Sequence, residues 1–346
     1  MPRSRAVEDS SGFTTTQFGR CCVCKEELKH GWAKCDKCAA IVIEVRLQPK
    51  QQQLLDYFMA TGPDVPKILG YGGARAAGKS RGLRDIALIL VSEMAQMYPG
   101  VPACIMRRNW TLCKSTHLAK LKLERPDLTQ FYTDKEYEFP SAMGSPRIAF
   151  DYADTDDDAE RIERGPEWFA LLLDQGEQWS ERNLRRFEQP NRWPGTAQGA
   201  AKMGVFFNPG GVGSQYLKRV FYDKTYHGGE RESDFAFIQA YGFDNIVWFL
   251  NQGIEINGHP LTWEIFYNDL PGGCPELPAN GKPDDKWLAS IPNNHKFKIF
   301  VTQTDEGRKQ WRKPESLRAG DLFGSFSNFE GQAFAGVYNR DRLVIR

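Results

Sequence analysis

The sequence predicts an α/β protein in which helices flank a mostly parallel β-sheet, with a small cysteine-rich module in front of it. Three observations predict this fold. A glycine-rich loop lies between an apolar segment and an amphipathic one, a second apolar run ends in a carboxylate, and five of the eight cysteines fall between positions 21 and 38. An unbroken apolar run is typical of a central parallel strand, because both faces of such a strand are buried.

The cysteine-rich module contains two C-x2-C pairs, Cys21 with Cys24 and Cys35 with Cys38, which ten residues separate. Four thiolates at this spacing predict a closed, structural Zn²⁺ site. Two disulfides or a redox motif are the alternatives, but stable disulfides are rare inside cells. We expect residues 1–45 to comprise a disordered leader and a zinc-ribbon or zinc-knuckle module. The metal would stabilise this module, because so short a segment buries little apolar surface.

The glycine-rich loop at 73–80 reads G-x4-G-K-S and follows an apolar segment at 67–72. The spacing of apolar residues from 81 to 98 predicts a helix after it. In such a loop, backbone N–H groups surround phosphates, the lysine binds the β- and γ-phosphate oxygens, and the serine hydroxyl binds Mg²⁺. We therefore predict a P-loop NTPase fold of the RecA-like (ASCE) type. The predicted ATP-binding residues of the loop are Gly73, Ala74, Arg75, Ala76, Ala77, Gly78, Lys79 and Ser80.

A P-loop enzyme also needs a second acid, at the end of a buried strand, which holds the Mg²⁺ ion through water. The run at 168–173 is uncharged and is followed by Asp174, which we predict to be this acid. Most motors of this type continue with a glutamate that polarises the attacking water. Gln175 stands there instead, and its amide can orient water but cannot accept a proton. Glu177, two residues further on, is the alternative residue for positioning the water.

Two further predicted strands end in polar residues. The segment at 103–108 ends in Arg107 and Arg108, which we interpret as phosphate or subunit contacts or, equally, as surface salt bridges. Asn208 follows a segment at 203–207 and could sense the γ-phosphate, since open α/β sheets bind ligands at the carboxyl ends of their strands. A turn-initiating Asn-Pro-Gly is the alternative interpretation. No ligand spacing connects the five histidines, which are His30, His117, His227, His259 and His295.

Together these segments resemble the large subunit of tailed-bacteriophage terminases, the ATP-driven motors that package DNA into a procapsid. The resemblance covers about positions 47 to 340 and rests on LQPKQQQLLDYF, GYGGARAAGKS, CIMRRNWTLCKS, RIERGPEWFALLLDQGEQWSE and FFNPGGVGSQYLKRVF. It implies that Gln51 contacts adenine and that Arg75 is the arginine of the loop, which with Lys79 neutralises charge on the γ-phosphate. It also implies that the stretch from Asn208 to Gly211 couples hydrolysis to DNA movement.

The resemblance further implies a function and its partners. An ATPase domain at 46–315, with an irregular surface insertion near 251–294, would use ATP and Mg²⁺ to drive packaging of double-stranded DNA. Its partners would be the small terminase subunit, the portal protein and further copies of the chain in a ring, in the host cell cytoplasm. The alternatives are another P-loop DNA motor, such as a helicase or a transposition ATPase, and a weakly hydrolysing ATP-binding assembly protein, which Gln175 favours.

The same resemblance implies a C-terminal nuclease of RNase H type. The residues at 320–322 and 329–334 are similar to its opening strand, and Asp321 would be a metal ligand if the domain were completed. Two-metal cleavage needs several carboxylates. We therefore expect 316–346 to be an incomplete nuclease domain, the chain to be truncated inside it, and nuclease activity to be absent.

Charge and hydropathy exclude two classes of protein. There are 45 lysines and arginines against 44 aspartates and glutamates, which excludes a protein that is basic over its whole surface but permits a local basic face. No apolar run approaches the ~20 residues that a membrane-spanning helix needs, and the polar first 20 residues lack the apolar centre of a secretory signal. We expect a soluble protein of the cell interior without a membrane partner.

Overall fold

The computed structural model describes residues 45–94, 98, 100–139, 145–250 and 252–326, together with four two-residue strands nearer the N-terminus. These short strands are β1 (Val7–Glu8), β2 (Thr14–Thr15), β3 (Lys34–Cys35) and β4 (Ala40–Ile41), and they pair antiparallel as β1 with β2 and β3 with β4. Cys21, Cys24 and Cys38 lie outside the described residues, and only the backbone of Cys35 is described. The zinc module therefore stays a prediction.

An eight-stranded sheet carries the fold. Its strands are β5 (Ile68–Gly73), β6 (Pro102–Arg107), β7 (Tyr132–Thr133), β8 (Glu136–Glu138), β9 (Arg147–Tyr152), β10 (Ala170–Asp174), β11 (Lys202–Phe207) and β12 (Phe235–Ala240). They lie in the order β12-β5-β11-β10-β6-β9-β8-β7. Five neighbouring strands, β5, β11, β10, β6 and β9, run parallel to one another. β8 and β7 then extend the sheet in antiparallel pairs.

β10 is the central strand that the apolar run predicts. All five of its residues are buried, and it pairs in parallel with β11 on one side and with β6 on the other. Ala170 lies opposite Lys202 of β11 and Ala103 of β6, so the carboxyl ends of the three strands meet at one edge of the sheet. β11 separates β5 from β10. The predicted mostly parallel sheet with flanking helices is confirmed.

The helices that connect these strands are mostly short. They are α1 (Pro49–Met59), α2 (Lys79–Met94), α3 (Trp110–Cys113), α4 (Ala119–Glu124), α5 (Asp156–Glu163), α6 (Glu181–Glu188) and α7 (Ser214–Leu217). The longest is α2, which packs against β6 and β10. α1 begins with Pro49 in its first turn, where a missing N–H costs nothing, and Gln51 accepts a hydrogen bond from the N–H of Gln48.

Several connections are wound as π or 3-10 turns. The π segments are Lys114–Leu118, Lys218–Tyr222 and Ile265–Asp269, and the 3-10 turns are Pro126–Phe131, Gly176–Gln178, Glu232–Asp234 and Gly242–Asp244. Insertions of π geometry are rare and often mark functional positions. The segment Lys114–Leu118 is of this kind, because it carries side chains of the site described below.

The described part of the chain divides into two compact units. The first contains residues 45–72, 78–207 and 215–238, and the second contains residues 73–77, 208–214 and 239–326. The second unit adds β13 (Glu255–Ile256), β14 (His259–Pro260), α8 (Val247–Leu250), α9 (Asp285–Ser290), α10 (Lys296–Gln303), α11 (Asp305–Trp311) and α12 (Glu315–Phe323). Its core is rich in aromatic rings, which include those of Phe243, Phe249, Phe266, Phe297 and Phe300.

Two details of this unit differ from the sequence-based expectation, although the division into domains itself stays a prediction. The stretch at 251–294 is not a surface insertion throughout, because Phe266, Leu270 and Leu288 lie in the aromatic core. The residues at 320–322 form part of helix α12 rather than an opening nuclease strand. The segment at 329–334 lies outside the described residues. None of the described helices combines the length and apolar character that crossing a bilayer requires.

Candidate nucleotide-binding site

The G-x4-G-K-S motif forms the connection between β5, which ends at Gly73, and α2, which begins at Lys79. Three of its residues have positive φ angles, Gly73 at 119°, Ala76 at 63° and Gly78 at 73°. The left-handed conformation is unfavourable for an alanine, so the surroundings must hold Ala76 in it. Backbone that alternates between right- and left-handed conformations turns successive N–H groups toward one side and forms a concave anion site.

Within the second unit, hydrogen bonds fix the first part of this loop. The carbonyl oxygen of Ala76 accepts hydrogen bonds from Nδ2 of Asn245 at 3.0 Å and Nε1 of Trp248 at 2.7 Å. The N–H of Ala74 donates to the carbonyl oxygen of Ala240 at 3.0 Å. These three bonds hold the backbone on both sides of position 75 and account for the unusual conformation of Ala76.

Within the first unit, Gln51 braces the end of the loop. Its Nε2 donates to the carbonyl oxygen of Gly78 at 3.2 Å, and its Oε1 accepts from the N–H of Gln48 at 2.9 Å. A Cβ atom on Gly82 would lie only 2.7 Å from Nε2 of Gln51, so glycine at that position makes room for the amide. Gln51 is buried and holds α1 against the loop, and its contact with adenine stays a prediction.

The predicted magnesium partners lie next to each other. Ser80, in the first turn of α2, donates a hydrogen bond from Oγ to Oδ1 of Asp174 at 3.2 Å, although 94 residues separate them in the chain. A hydroxyl and a carboxylate are the hard oxygen ligands that Mg²⁺ takes, usually with phosphate oxygens and water as its remaining ligands. Among the residues that the structure describes, no group of three acidic, histidine or cysteine side chains could hold a metal ion. The Ser80 hydroxyl and the Asp174 carboxylate suit a Mg²⁺ ion that takes phosphate oxygens and water as its other ligands.

Two further side chains hold the Asp174 carboxylate. Nε2 of His117 lies 3.0 Å from Oδ2 of Asp174, and Nε of Arg107 lies 3.0 Å from the same oxygen. Asp174 is 3% exposed and His117 is 0% exposed. Ser80 and His117 thus lie within hydrogen-bond distance of the carboxylate and the charge of Arg107 lies beside it, an arrangement that keeps a buried acid ionised.

The pKa values of this cluster follow from burial and from its hydrogen bonds. Burial raises the pKa of Asp174, but the hydrogen bond of His117, the charge of Arg107 and the hydrogen bond of Ser80 together bring the pKa below its ordinary value. Burial lowers the pKa of His117, the hydrogen bond and charge of Asp174 oppose this, and the nearby Arg84 and Arg107 add to the lowering, so the net pKa is below the ordinary value. The imidazole is therefore neutral near pH 7. Its Nδ1 has no hydrogen-bond partner among the described residues, so the tautomer with its proton on Nε2, donating to Asp174, is the favoured one.

The π segment Lys114–Leu118 brings His117 to the acid. Nη1 of Arg84, a buried residue of α2, donates to the carbonyl oxygens of Ser80 at 2.9 Å and Thr116 at 3.1 Å. Nη1 of Arg107 donates to Oγ1 of Thr116 at 2.7 Å. Arg107 is thus buried rather than in a surface salt bridge, and its contact with phosphate stays a prediction. It ties β6 to the segment that carries His117.

His117 is the member of the site that the sequence interpretation missed. The sequence gives little reason to select His117 as a site residue, because a single histidine without ligand spacing is more often a packed core residue than a functional one. Arg108, by contrast, forms the expected surface salt bridge, with its Nε 3.1 Å from Oδ1 of Asp154.

The residue after Asp174 has an unusual backbone. Gln175 has φ 62° and ψ 53°, a left-handed backbone conformation that residues other than glycine rarely adopt. Its Oε1 accepts a hydrogen bond from Nε2 of Gln178 at 2.7 Å, which fixes the orientation of the Gln175 amide. Glu177 lies in the 3-10 turn Gly176–Gln178 and is buried. Backbone strain of this kind is concentrated at functional sites.

The remaining predicted site residues lie in the second unit. Asn208 directly follows β11 and is half-buried. Arg75 is exposed, and its Nε lies 2.7 Å from Oδ1 of Asp321. Asp321 also pairs with Nζ of Lys313. Both carboxylate oxygens of Asp321 are therefore paired with cations of the chain, and its role as a nuclease metal ligand stays a prediction.

Comparisons with known proteins give matches only among solved structures. No protein-family model matches the sequence, and no curated protein matches it. The large terminase of a thermophilic bacteriophage, solved in complex with ADP, is 14% identical, with a TM-score of 0.43 over 58% of this chain and 46% of that one. The HK97 bacteriophage large terminase is 12% identical, with a TM-score of 0.46 over 81% of this chain and 50% of that one.

A third similar structure is a mutant of the ATPase domain of the Thermus phage P74-26 large terminase. It is 16% identical, with a TM-score of 0.31 over 51% of this chain and 76% of that one. All three of these solved structures are large terminases of bacteriophages or the ATPase domain of one. The chain spans about half the length of the ADP-bound terminase and of the HK97 protein.

Proposed function

We propose that this chain hydrolyses Mg-ATP as the motor part of a bacteriophage terminase large subunit and so drives the packaging of double-stranded DNA. The observation that carries the hydrolysis is the distance of 3.2 Å between the hydroxyl of Ser80, just after the glycine-rich loop, and the carboxylate of Asp174, at the end of a central strand. The DNA-packaging role is supported by the sequence motifs that resemble terminases.

The loop at 73–80 supplies the phosphate site. Its left-handed residues give the backbone the curvature of an anion site, and the start of α2 adds the partial positive charge of a helix N-terminus. Lys79 stands at the first position of α2, where its ammonium group would bind β- and γ-phosphate oxygens. A triphosphate bound there would place its negative charge against donors that the fold already holds in position.

Ser80 and Asp174 would hold the magnesium ion. When bound, Mg²⁺ neutralises phosphate charge and orients the triphosphate. The chain's own contribution is to keep Asp174 ionised and still. The lowered pKa of Asp174 keeps it charged, and His117 and Arg107 prevent the carboxylate from turning away from Ser80.

Gln175 is the residue that would orient the attacking water. Phosphoryl transfer depends mainly on positioning and charge stabilisation, and in several P-loop NTPases a glutamine orients the water. The amide oxygen of Gln175 is already used by Gln178, which leaves the amide N–H groups and the fixed orientation for substrate. Glu177 is the alternative, and a carboxylate there could also accept a proton.

Phosphate release under steady-state conditions, with and without double-stranded DNA, tests the proposal. The wild type should release phosphate faster than Lys79→Ala by at least ~100-fold, because the lysine binds charge that grows on the phosphoryl group. Rates that are equal for the two proteins would contradict ATP hydrolysis at this loop. A forked duplex tests the helicase alternative, since a packaging motor should translocate without unwinding it.

A weakly hydrolysing ATP-binding assembly protein is the second candidate function, and Gln175 is the observation that favours it. Its test is the Gln175→Glu variant. If this variant hydrolyses ATP ~100-fold faster than the wild type at equal ATP affinity, hydrolysis in the wild type is limited by the missing acid. If it is equal or slower, the glutamine is competent.

The partners and the zinc module belong to the same proposal. The small terminase subunit, the portal protein and further copies of the chain in a ring are the partners that a packaging motor requires, in the host cytoplasm.

Metal analysis of the purified chain should find about one Zn²⁺ per chain, held by Cys21, Cys24, Cys35 and Cys38. Less than about half an equivalent would contradict the zinc module.

A further inference from the structure

The arginine of the glycine-rich loop is bound to helix α12. The N–H of Arg75 donates to the carbonyl oxygen of Asp321 at 2.8 Å, and the guanidinium Nε lies 2.7 Å from Oδ1 of the same residue. One residue of α12 thus contacts both the backbone and the side chain of the loop position that is expected to face the γ-phosphate.

The two partners of this ion pair differ strongly in burial. The Arg75 side chain is 62% exposed, whereas the Asp321 side chain is 8% exposed. The second oxygen of Asp321 pairs with Nζ of Lys313, whose side chain is 27% exposed. If Arg75 moved away, the buried carboxylate would keep Lys313 as its partner. The free-energy cost of leaving a buried charge unpaired would therefore be avoided.

We propose that Asp321 is a positioning residue that holds the Arg75 guanidinium and competes for it with the phosphate of the bound nucleotide. Lys313 makes this exchange possible, because it neutralises Asp321 when Arg75 has left. Helix α12 would thereby sense whether a triphosphate occupies the loop, since the nucleotide breaks one of its two bonds to Arg75. This inference rests on the proposed function, in which the loop binds ATP.

Two substitutions should change nucleotide affinity in opposite directions. Asp321→Asn removes the competing charge and keeps the backbone carbonyl, so Arg75 becomes available to phosphate and Mg-ATP should bind more tightly. Lys313→Met removes the second cation and keeps an apolar side chain of similar length, so Asp321 should hold Arg75 more firmly and Mg-ATP should bind more weakly. A purely structural role would weaken binding in both variants.

The size of the effect is modest because the arginine is exposed. Exposed ion pairs contribute at most about 1 kcal/mol, so each affinity should change about two- to fivefold, which corresponds to roughly 0.4–1 kcal/mol. Asp321→Glu keeps the charge and should lie closer to the wild type than Asp321→Asn does. In an Arg75→Ala background, Asp321→Asn should no longer change the affinity, because the residue for which carboxylate and phosphate compete is absent.

Isothermal titration of the full chain with Mg-ATP, with Lys79→Ala as the reference for a damaged loop, measures these affinities. Tighter binding by Asp321→Asn together with weaker binding by Lys313→Met supports the proposal. Unchanged or weaker binding by Asp321→Asn overturns it while leaving ATP binding intact. If the wild type binds no better than Lys79→Ala, the proposed function fails and this inference fails with it. If Asp321→Asn does not fold, Lys313→Met decides alone, and unchanged or tighter binding by it overturns the proposal.

Discussion

His117 is the side chain whose removal tests the geometry of the site most sharply. It is buried between α2 and β10, and its Nε2 donates to the ionised Asp174 at 3.0 Å. A hydrogen bond to a charged group contributes about 1.5–3 kcal/mol, and loss of a buried ring adds a cavity cost of about 1 kcal/mol. Arg107 and Ser80 remain as partners of the carboxylate. His117→Ala should therefore lower the free energy of unfolding by about 2.5–4 kcal/mol.

The matched control is His117→Gln, whose Nε2 can donate to the same carboxylate oxygen. It should cost less than about 1.5 kcal/mol, and His259→Ala, at an exposed histidine, should cost less than about 0.5 kcal/mol. Urea unfolding at pH 7.5, above the ordinary pKa of histidine, measures all three with the imidazole neutral. If the alanine and glutamine variants at position 117 lose the same free energy, the hydrogen bond to Asp174 does not stabilise the fold and the reasoning is refuted.

Three further substitutions test other features of the structure. Burial raises the pKa of Glu93 to about 7, so the folded protein binds more protons than the unfolded chain between about pH 4.5 and 7 and loses stability as the pH rises through this range. Glu93→Gln should therefore add about 1–3 kcal/mol to the free energy of unfolding at pH 8 and little at pH 4. An equal gain at both pH values would contradict this. Gly176→Ala should destabilise by at least about 1–3 kcal/mol, because its Cβ would overlap Cγ1 of Val205, and a stability within 0.5 kcal/mol of the wild type would disprove that close approach. Gln175→Gly should raise the urea midpoint of unfolding, because it relieves about 1 kcal/mol of strain in the left-handed backbone. The same variant should release phosphate more slowly, and faster release would argue against the glutamine as the water-orienting residue.

Local sequence patterns predicted the parts of the site that are local in the chain. The loop at 73–80 and the strand before Asp174 each have a signature within a few residues, and the structure places Ser80 and Asp174 together as expected. His117 and Arg107 have no such signature. Their role arises because a π segment and the end of β6 meet the carboxyl end of β10, a juxtaposition that only the folded sheet creates.

At helix α12, the resemblance to a nuclease domain predicts a strand, whereas the local spacing of apolar residues indicates a helix. The segment at 320–322 was expected as a strand because it resembles the opening of a nuclease domain. Its buried apolar side chains Ala319, Leu322 and Phe323 follow the i, i+3, i+4 spacing of an amphipathic helix. The pairing of Asp321 with Arg75 could not be predicted, because it depends on the core that brings α12 to the loop.

In the proposed function, Ser80 and Asp174 hold one magnesium ion for ATP hydrolysis, and a double-mutant cycle on Mg²⁺-dependent phosphate release tests this shared role most directly. Ser80→Ala and Asp174→Asn should each slow release by at least ~100-fold, and the double variant should be hardly slower than Asp174→Asn alone, because residues that act as a unit are not additive. If the two losses multiply in the double variant, or if either single variant retains the wild-type rate, the two residues do not share one ion and the claim is contradicted.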